Sequence, residues 1–191
     1  MKKRKLGYTD LELTVVGLGT WAIGGPWKMG WGEQDDKASI NAIHASLDQG
    51  VNWIDTAHVY GFGHSEKVVG EAIKGRRDDV IVASKCGLHN DGTGEVEFTL
   101  KADRVREEID GSLRRLGVDV IDLYQIHWPN PENEIEEGWE EIQKAIDAGK
   151  IRYAGVSNFT VEQMKRLQPN GKIASLQPPY SMLRRAIEDA Q

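Results

Sequence analysis

Short runs rich in Val, Ile and Leu alternate along this chain with longer stretches of helical hydrophobic period, joined by Gly, Asn, Asp and Pro. No other feature of the sequence narrows the fold as much. It predicts βα units feeding a parallel sheet. Strands are expected over residues 13–17, 51–55, 80–84, 120–126, 152–156 and 173–176. Most lack clean in/out alternation, as suits strands covered on both faces.

Between them, Ile40, Ile43 and Leu47 mark a helix over 36–49. Val105, Ile109, Leu113 and Leu116 mark one over 100–116, and Ile135, Trp139, Ile142 and Ile146 one over 134–148. Gly50, Gly117 and Gly149 supply their C-terminal stops. Thr160 with Gln163 reads as a capping box opening a short helix that carries Val161, Met164 and Leu167. A last helix is expected from near Ser181 to Gln191. Ahead of the first unit, the Gly7-Tyr-Thr-Asp10 turn inside residues 5–13 predicts an N-terminal β-hairpin.

About six βα units fit two architectures, a doubly wound open sheet or a (β/α)8 TIM-type barrel. At 191 residues the chain has the length of one domain of about 100–200 residues. That is short of the roughly 250 typical of a closed barrel. With 39% apolar and 28% charged residues it can bury a core and is not a disordered sequence. Its 24 basic against 30 acidic residues leave a net charge of −6, which argues against a nucleic-acid partner. Lys2, Lys3, Arg4 and Lys5 precede no long apolar run, so neither a signal peptide nor a membrane span is expected. The single cysteine, Cys86, excludes an internal disulfide and suits a reducing, cytoplasmic setting.

The ends of the expected strands carry the functional signal. The runs emerge onto Asp55, Lys85, His127, Ser157-Asn158 and Gln177. In a parallel sheet all these ends lie on one side, and in a barrel they converge on the mouth where active sites sit. Each residue alone has a plain structural reading: an N-cap, a solvated charge, a satisfied imidazole, loop chemistry. Five at corresponding places favour a shared site. Tyr60 follows in the loop after Asp55. A free tyrosine, with a pKa of about 10, is a poor acid at neutral pH. A neighbouring ammonium is expected to lower that pKa, and a carboxylate to hold the ammonium in place. Asp55, Tyr60 and Lys85 thus read as a tuned general acid, with His127 polarising a carbonyl or relaying the proton.

Trp21, Trp27, Trp31, Phe62, Trp128 and Phe159 fall in the same loops and are expected to wall an apolar substrate cleft, whereas Trp53 and Trp139 lie inside elements and read as packing. The five histidines show no paired ligand spacing, His89 falls in a polar Gly-rich loop, and no metal is expected. Cys86 reads as a buried thiol. A Schiff-base role for Lys85 is disfavoured, because Asp55 would raise a pKa that such chemistry needs lowered. Gly17-Leu-Gly-Thr-Trp-Ala22 satisfies the dinucleotide fingerprint, but no helix is expected before about Asp36, so the phosphate-binding helix N-terminus is missing.

At these residues the sequence resembles the aldo-keto reductase family, and within it the bacterial group of general-stress and inositol-induced reductases. The motifs run in order over nearly the whole chain: Gly17-Leu-Gly-Thr-Trp21, Trp31-Gly-Glu-Gln-Asp-Asp36, Asn52-Trp-Ile-Asp-Thr-Ala-His-Val-Tyr-Gly61, Gly63-His-Ser-Glu66, Ala83-Ser-Lys85, Asp122-Leu-Tyr-Gln-Ile-His-Trp-Pro129, Gly155-Val-Ser-Asn158 and Leu176-Gln-Pro-Pro-Tyr-Ser181. The resemblance implies a (β/α)8 barrel binding NADP(H), and a catalytic tetrad on Asp55, Tyr60, Lys85 and His127. It implies nicotinamide contacts from Ser157, Asn158 and Gln177, and NADPH-dependent reduction of small aldehydes and ketones. Against the family length, residues 1–191 read as a single incomplete barrel domain with about six of eight units. Its open edges predict association or poor solubility of the isolated chain. The alternative within the resemblance is a non-catalytic interaction module of the channel β-subunit kind.

Overall fold

The computed structural model describes residues 1–90 and 92–190. β1 (Lys3–Lys5) and β2 (Glu12–Thr14) form the expected antiparallel hairpin. After it come β3 (Leu18–Gly19), α1 (Asp36–Asp48), β4 (Trp53–Asp55), α2 (His64–Ala72), β5 (Ile81–Cys86), β6 (Leu88–Asn90), β7 (Val96–Phe98), α3 (Ala102–Leu116), β8 (Ile121–Ile126), α4 (Ile135–Asp147), β9 (Ile151–Ser157), α5 (Val161–Leu167) and β10 (Leu176–Gln177).

Strand order decides between the two architectures. The six-stranded sheet runs β3-β4-β5-β8-β9-β10, every pair parallel. A doubly wound sheet reverses direction at a switch point. Here each new strand is added on the same side as the one before, so crossovers of one hand lay the helices side by side on a single face. The sheet is also curled. Gln177 Nε2 donates to Asp55 Oδ2 at 3.3 Å, although four strand spacings of about 4.8 Å would set β4 and β10 about 19 Å apart in a flat sheet. Sequential parallel strands, helices outside and a curled sheet are the (β/α)8 architecture.

The main core lies between sheet and helices. Ile54, Val82, Tyr124, Ile126, Ala154 and Val156 meet Ile43, Val69, Val105, Ile109, Leu116, Trp139 and Ile142. The other face of each strand follows the period of two. On β5, Ala83 and Lys85 alternate with Val82, Ser84 and Cys86; on β8, Leu123 and Gln125 alternate with Tyr124 and Ile126. Ala83 and Leu123 join Ala174, Leu6 and Tyr153 in a small interior cluster. The N-terminal hairpin closes that end: Asp10 accepts from Arg152 at 2.9 Å and from Tyr153 Oη at 2.8 Å. The opposite interior end is left polar.

Helix signals match the sequence where a cap or a stripe is present. Asp35 caps α1 through Ala38 N at 2.7 Å. Thr160 and Gln163 form the reciprocal capping box on α5, and Gly117 ends α3 in the left-handed region. Four expectations are corrected. The run 13–17 is not one strand: residues 13 and 14 end β2, and the first strand of the parallel sheet begins only at Leu18, after Gly17 has packed against Trp53, where a Cβ would come within 2.1 Å of the ring. The strand expected at 173–176 is only Leu176–Gln177, ended by two prolines that cannot donate to a ladder. α2 carries no clear helical period in the sequence, because its buried face mixes Val68, Val69 and Ala72 with Ser65 and Glu66. No α-helix starts near Ser181: Ser181 bridges Arg184 and a 3-10 turn covers Ala186–Ala190. Met182 and Leu183 are 95% and 96% exposed, so no apolar face is packed there to sustain a helix. Gln191 lies outside the described residues.

Candidate active site

Parallel register delivers the polar side chains to one end of the barrel interior. Asp55 pairs with Ala83, two residues before Lys85. Lys85 pairs with Gln125, two residues before His127. Ser157 pairs with Gln177. Steps of two keep each of these on the interior face.

Lys85 is 2% exposed and its ammonium has three partners. It donates to Asp55 Oδ1 at 2.7 Å and to the Thr56 carbonyl at 3.0 Å, and reaches Tyr60 Oη at 3.5 Å. Burial opposes its charge, but Asp55 and Tyr60 outweigh it and hold the ammonium above its ordinary range. A lysine so held is a poor Schiff-base nucleophile. Tyr60 differs from expectation: its pKa is raised, not lowered. Burial of the phenol is the largest influence; Lys85 pulls the other way and Asp55 adds to the rise. Tyr60 is therefore a fully protonated phenol at neutral pH, with a cation beside the oxygen that would carry charge once the proton leaves. His127 sets its ring edge-on to Tyr60, centroids 5.8 Å apart. Burial, with Lys85 adding to it, lowers its pKa to about 3, so the imidazole is neutral and can donate or accept a hydrogen bond without being an acid.

The Tyr60 loop is clamped. Gly24 and Gly61 touch backbone to backbone, and a Cβ on Gly61 would lie 2.0 Å from Gly24 O. Gly61 also has φ +64, a region that side chains resist. Ser65 N donates to Tyr60 O at 3.2 Å, and the Ser65 hydroxyl joins Thr20 at 2.8 Å and Thr56 at 3.0 Å. Behind this, fully buried Glu66 accepts from Arg115 at 2.7 Å and from Ser84 at 2.6 Å, tying α2 to α3 and β5.

Ser157, Asn158 and Gln177 meet at the ends of β9 and β10. Ser157 Oγ donates to Gln177 O at 2.8 Å, and Asn158 Nδ2 to Ser157 Oγ at 3.0 Å and to His127 O at 2.9 Å. Asn158 has φ +63, which turns its amide back over β8. Gln177 joins this group to Asp55. The trio offers hydroxyl and amide groups beside the Lys85 pair, a donor set that fits a planar carboxamide. Gln125, absent from the sequence reading, extends it: its Nε2 donates to Gln177 Oε1 at 3.1 Å. The signal that could have found it is the period of two counted back from His127.

The aromatic residues divide. Trp21 stacks 6.4 Å from Tyr60 and meets Trp31 edge-on, and Trp128 is 44% exposed beside His127. Trp27 packs edge-on to Phe62 over Ala57, Val59 and Leu88, backing the Tyr60 loop. Phe159, expected in the cleft wall, belongs instead to the main core, because Asn158 turns the chain and points the next ring inward. Cys86 is a buried thiol that burial pushes well up. The Gly17–Ala22 glycines lead into a 3-10 turn (Ala22–Gly24), and α1 begins at Asp36, so no α-helix N-terminus stands over them. His89, expected in a loop, lies on β6, where it and His58 approach Glu108 of α3. No helix among the described residues is long and apolar enough to cross a membrane.

Residues 15–190 match the Aldo/keto reductase family. The aldo-keto reductase YhdN of Bacillus subtilis is 46% identical over the whole of this chain, which spans 57% of that relative's length. The NADH-specific methylglyoxal reductase of Escherichia coli is 37% identical over 99% of the chain and 62% of its own length. Among solved structures, a glycerol dehydrogenase from Gluconobacter oxydans superposes with a TM-score of 0.88 at 45% identity, covering 98% of this chain and 57% of that one. An aldo-keto reductase of Klebsiella pneumoniae in complex with NADPH superposes with a TM-score of 0.80 at 31% identity, covering 98% and 62%.

Proposed function

Because this chain belongs to the aldo/keto reductase family, we propose that it serves NADP(H)-dependent reduction of small aldehydes and ketones, with Tyr60 as general acid. The observation that carries this reading is the Asp55–Lys85–Tyr60 arrangement, in which a buried ammonium is held by a carboxylate and aimed at a protonated phenol. Ser157, Asn158 and Gln177 would hold the carboxamide of the nicotinamide, and the bound dinucleotide would supply the hydride. Trp21 and Trp128 would flank the substrate, with Trp27 bracing the Tyr60 loop from behind.

The work of the protein's own groups then follows from their protonation states. As the carbonyl carbon gains hydride, its oxygen gains negative charge and takes the proton from Tyr60 Oη, giving an alcohol. The phenolate left behind faces the Lys85 ammonium, which lowers the cost of that transfer. Asp55 keeps the ammonium charged and oriented. Neutral His127 donates a hydrogen bond to the substrate oxygen. The relatives with NADPH and NADH in their names leave the dinucleotide as a direct question for titration.

The test is fluorescence titration of the chain with NADPH and with NADH, followed by dinucleotide oxidation with a panel of aliphatic and aromatic carbonyls. Saturable NADPH binding and carbonyl-dependent oxidation that Tyr60→Phe abolishes are expected. Turnover unchanged by Tyr60→Phe, or no dinucleotide binding, would overturn the reading.

A further inference from the structure

Three side chains the reductase reading does not use converge behind the Tyr60 loop. His58 lies in that loop, His89 on β6 and Glu108 on α3, and one ligand atom of each falls within 4.8 Å of the others. Glu108 Oε1 is 4.0 Å from His58 Nε2 and 3.7 Å from His89 Nδ1. We propose that His58, His89 and Glu108 form a binding site for one borderline divalent transition-metal ion of the zinc type, bracing the Tyr60 loop against β6 and α3.

Four atoms here have no hydrogen-bond partner: both ring nitrogens of His58, His89 Nδ1 and Glu108 Oε1. His58 and Glu108 are only 9% and 3% exposed. Folded proteins avoid leaving buried polar atoms unpaired, and a cluster of them marks a missing partner. The carboxylate is already oriented for a ligand. Gly87 N donates to Glu108 Oε2 at 2.7 Å, which fixes that oxygen and turns Oε1 toward the two rings. An outer partner of this kind commonly holds a ligating carboxylate.

The spacing suits an ion. With metal–ligand bonds of about 2.0–2.1 Å, a tetrahedral site sets its ligand atoms about 3.3–3.4 Å apart, so the two carboxylate contacts need a contraction of only some tenths of an ångström, and the two rings, whose ligand atoms lie within 4.8 Å, must close further as the ion binds. Two imidazoles and one carboxylate favour zinc, cobalt or nickel over calcium or magnesium, which take oxygen. Three protein ligands leave a fourth position for water. The nearby cation Arg115 is already held by Glu66 at 2.7 Å. Sequence spacing hides the site because its ligands come from three separate elements.

Binding is read on the metal-free chain without reference to turnover. Calorimetry with ZnCl2 should show one ion per chain, raise the melting temperature, and give with Co(II) the visible absorption of a four-coordinate site. His89→Ala and Glu108→Gln should each weaken affinity by more than the roughly 10–100-fold that loss of an outer-shell partner costs. His64→Ala, removing a ring paired with Asp36 on the surface, should bind as the parent does. Far-UV circular dichroism checks that each variant folds, and the Co(II) spectrum of the unaltered chain stands without any variant. No saturable binding of Zn(II), Co(II) or Ni(II) at about 100 μM, a Co(II) spectrum lacking four-coordinate bands, or equal affinity in His89→Ala would overturn the proposal.

Discussion

Lys85 Nζ lies 3.5 Å from Tyr60 Oη and 5.3 Å from the centre of its ring. The ammonium thus addresses the phenol from the oxygen end, where a departing proton leaves charge behind. Tyr60→Phe keeps the ring and its contact with Trp21 while deleting the proton. Carbonyl-dependent NADPH oxidation should fall by about 10²–10⁴-fold, the usual contribution of a positioned acid, with the melting temperature little changed.

Lys85→Met should act on stability as well as rate. It leaves the Asp55 carboxylate, 13% exposed at its side chain, without its ion-pair partner. Breaking a buried pair from one side costs about 3–5 kcal/mol. Urea denaturation should show an unfolding free energy lower by that amount. A stability loss under about 1 kcal/mol would mean that the pair is better hydrated than its burial implies.

Acid should destabilise the fold through His127. Its pKa is about 3 in the folded chain, against about 6.5 unfolded. Between those values the unfolded chain binds the extra proton, so stability rises with pH across that window and falls on acidification. Urea midpoints measured from pH 7 down to pH 4 should decline, and His127→Gln should flatten the decline. For the same reason the pH profile of turnover should show no limb near 6.5. A limb there that His127→Gln removes would show that the imidazole titrates in the site.

Gly61→Ala tests the clamp on the Tyr60 loop. The new methyl would meet Gly24 O at 2.0 Å, with φ at +64. Overpacking of this kind costs about 1–3 kcal/mol. The loop must also shift, so Tyr60 moves off Lys85 and turnover should drop more than a chain of equal stability would predict. A Glu66→Gln control of comparable stability separates the two effects, because Glu66 contacts Arg115 and Ser84 and not Tyr60.

Much of this molecule is legible in its sequence. Hairpin, caps and stripes gave α1, α3, α4 and α5, and polar residues at strand ends gave Asp55, Lys85, His127, Ser157 and Gln177. What was illegible has a common physical cause. Where a buried face is itself polar, the hydrophobic period disappears: α2 hides behind Ser65 and Glu66, and Gln125 lies in a β8 that also buries Asp122. The direction of the Tyr60 shift was illegible too, since it depends on how far the phenol is desolvated, which no spacing reveals. The convergence of His58, His89 and Glu108 depends on tertiary placement alone.

The curl of the sheet also carries an entropic cost. Strands that neighbour one another in the ladder are also consecutive along it in the chain, so each pairing among β4, β5, β8 and β9 closes a shorter loop than a contact across the barrel. The Asp55–Gln177 hydrogen bond spans 122 residues. Closing a loop of that length costs more chain entropy than any pairing between neighbouring strands. Chemistry and topology are coupled there: the carboxylate that steadies Lys85 is fully enclosed only once the far edge of the sheet has swung round to meet it.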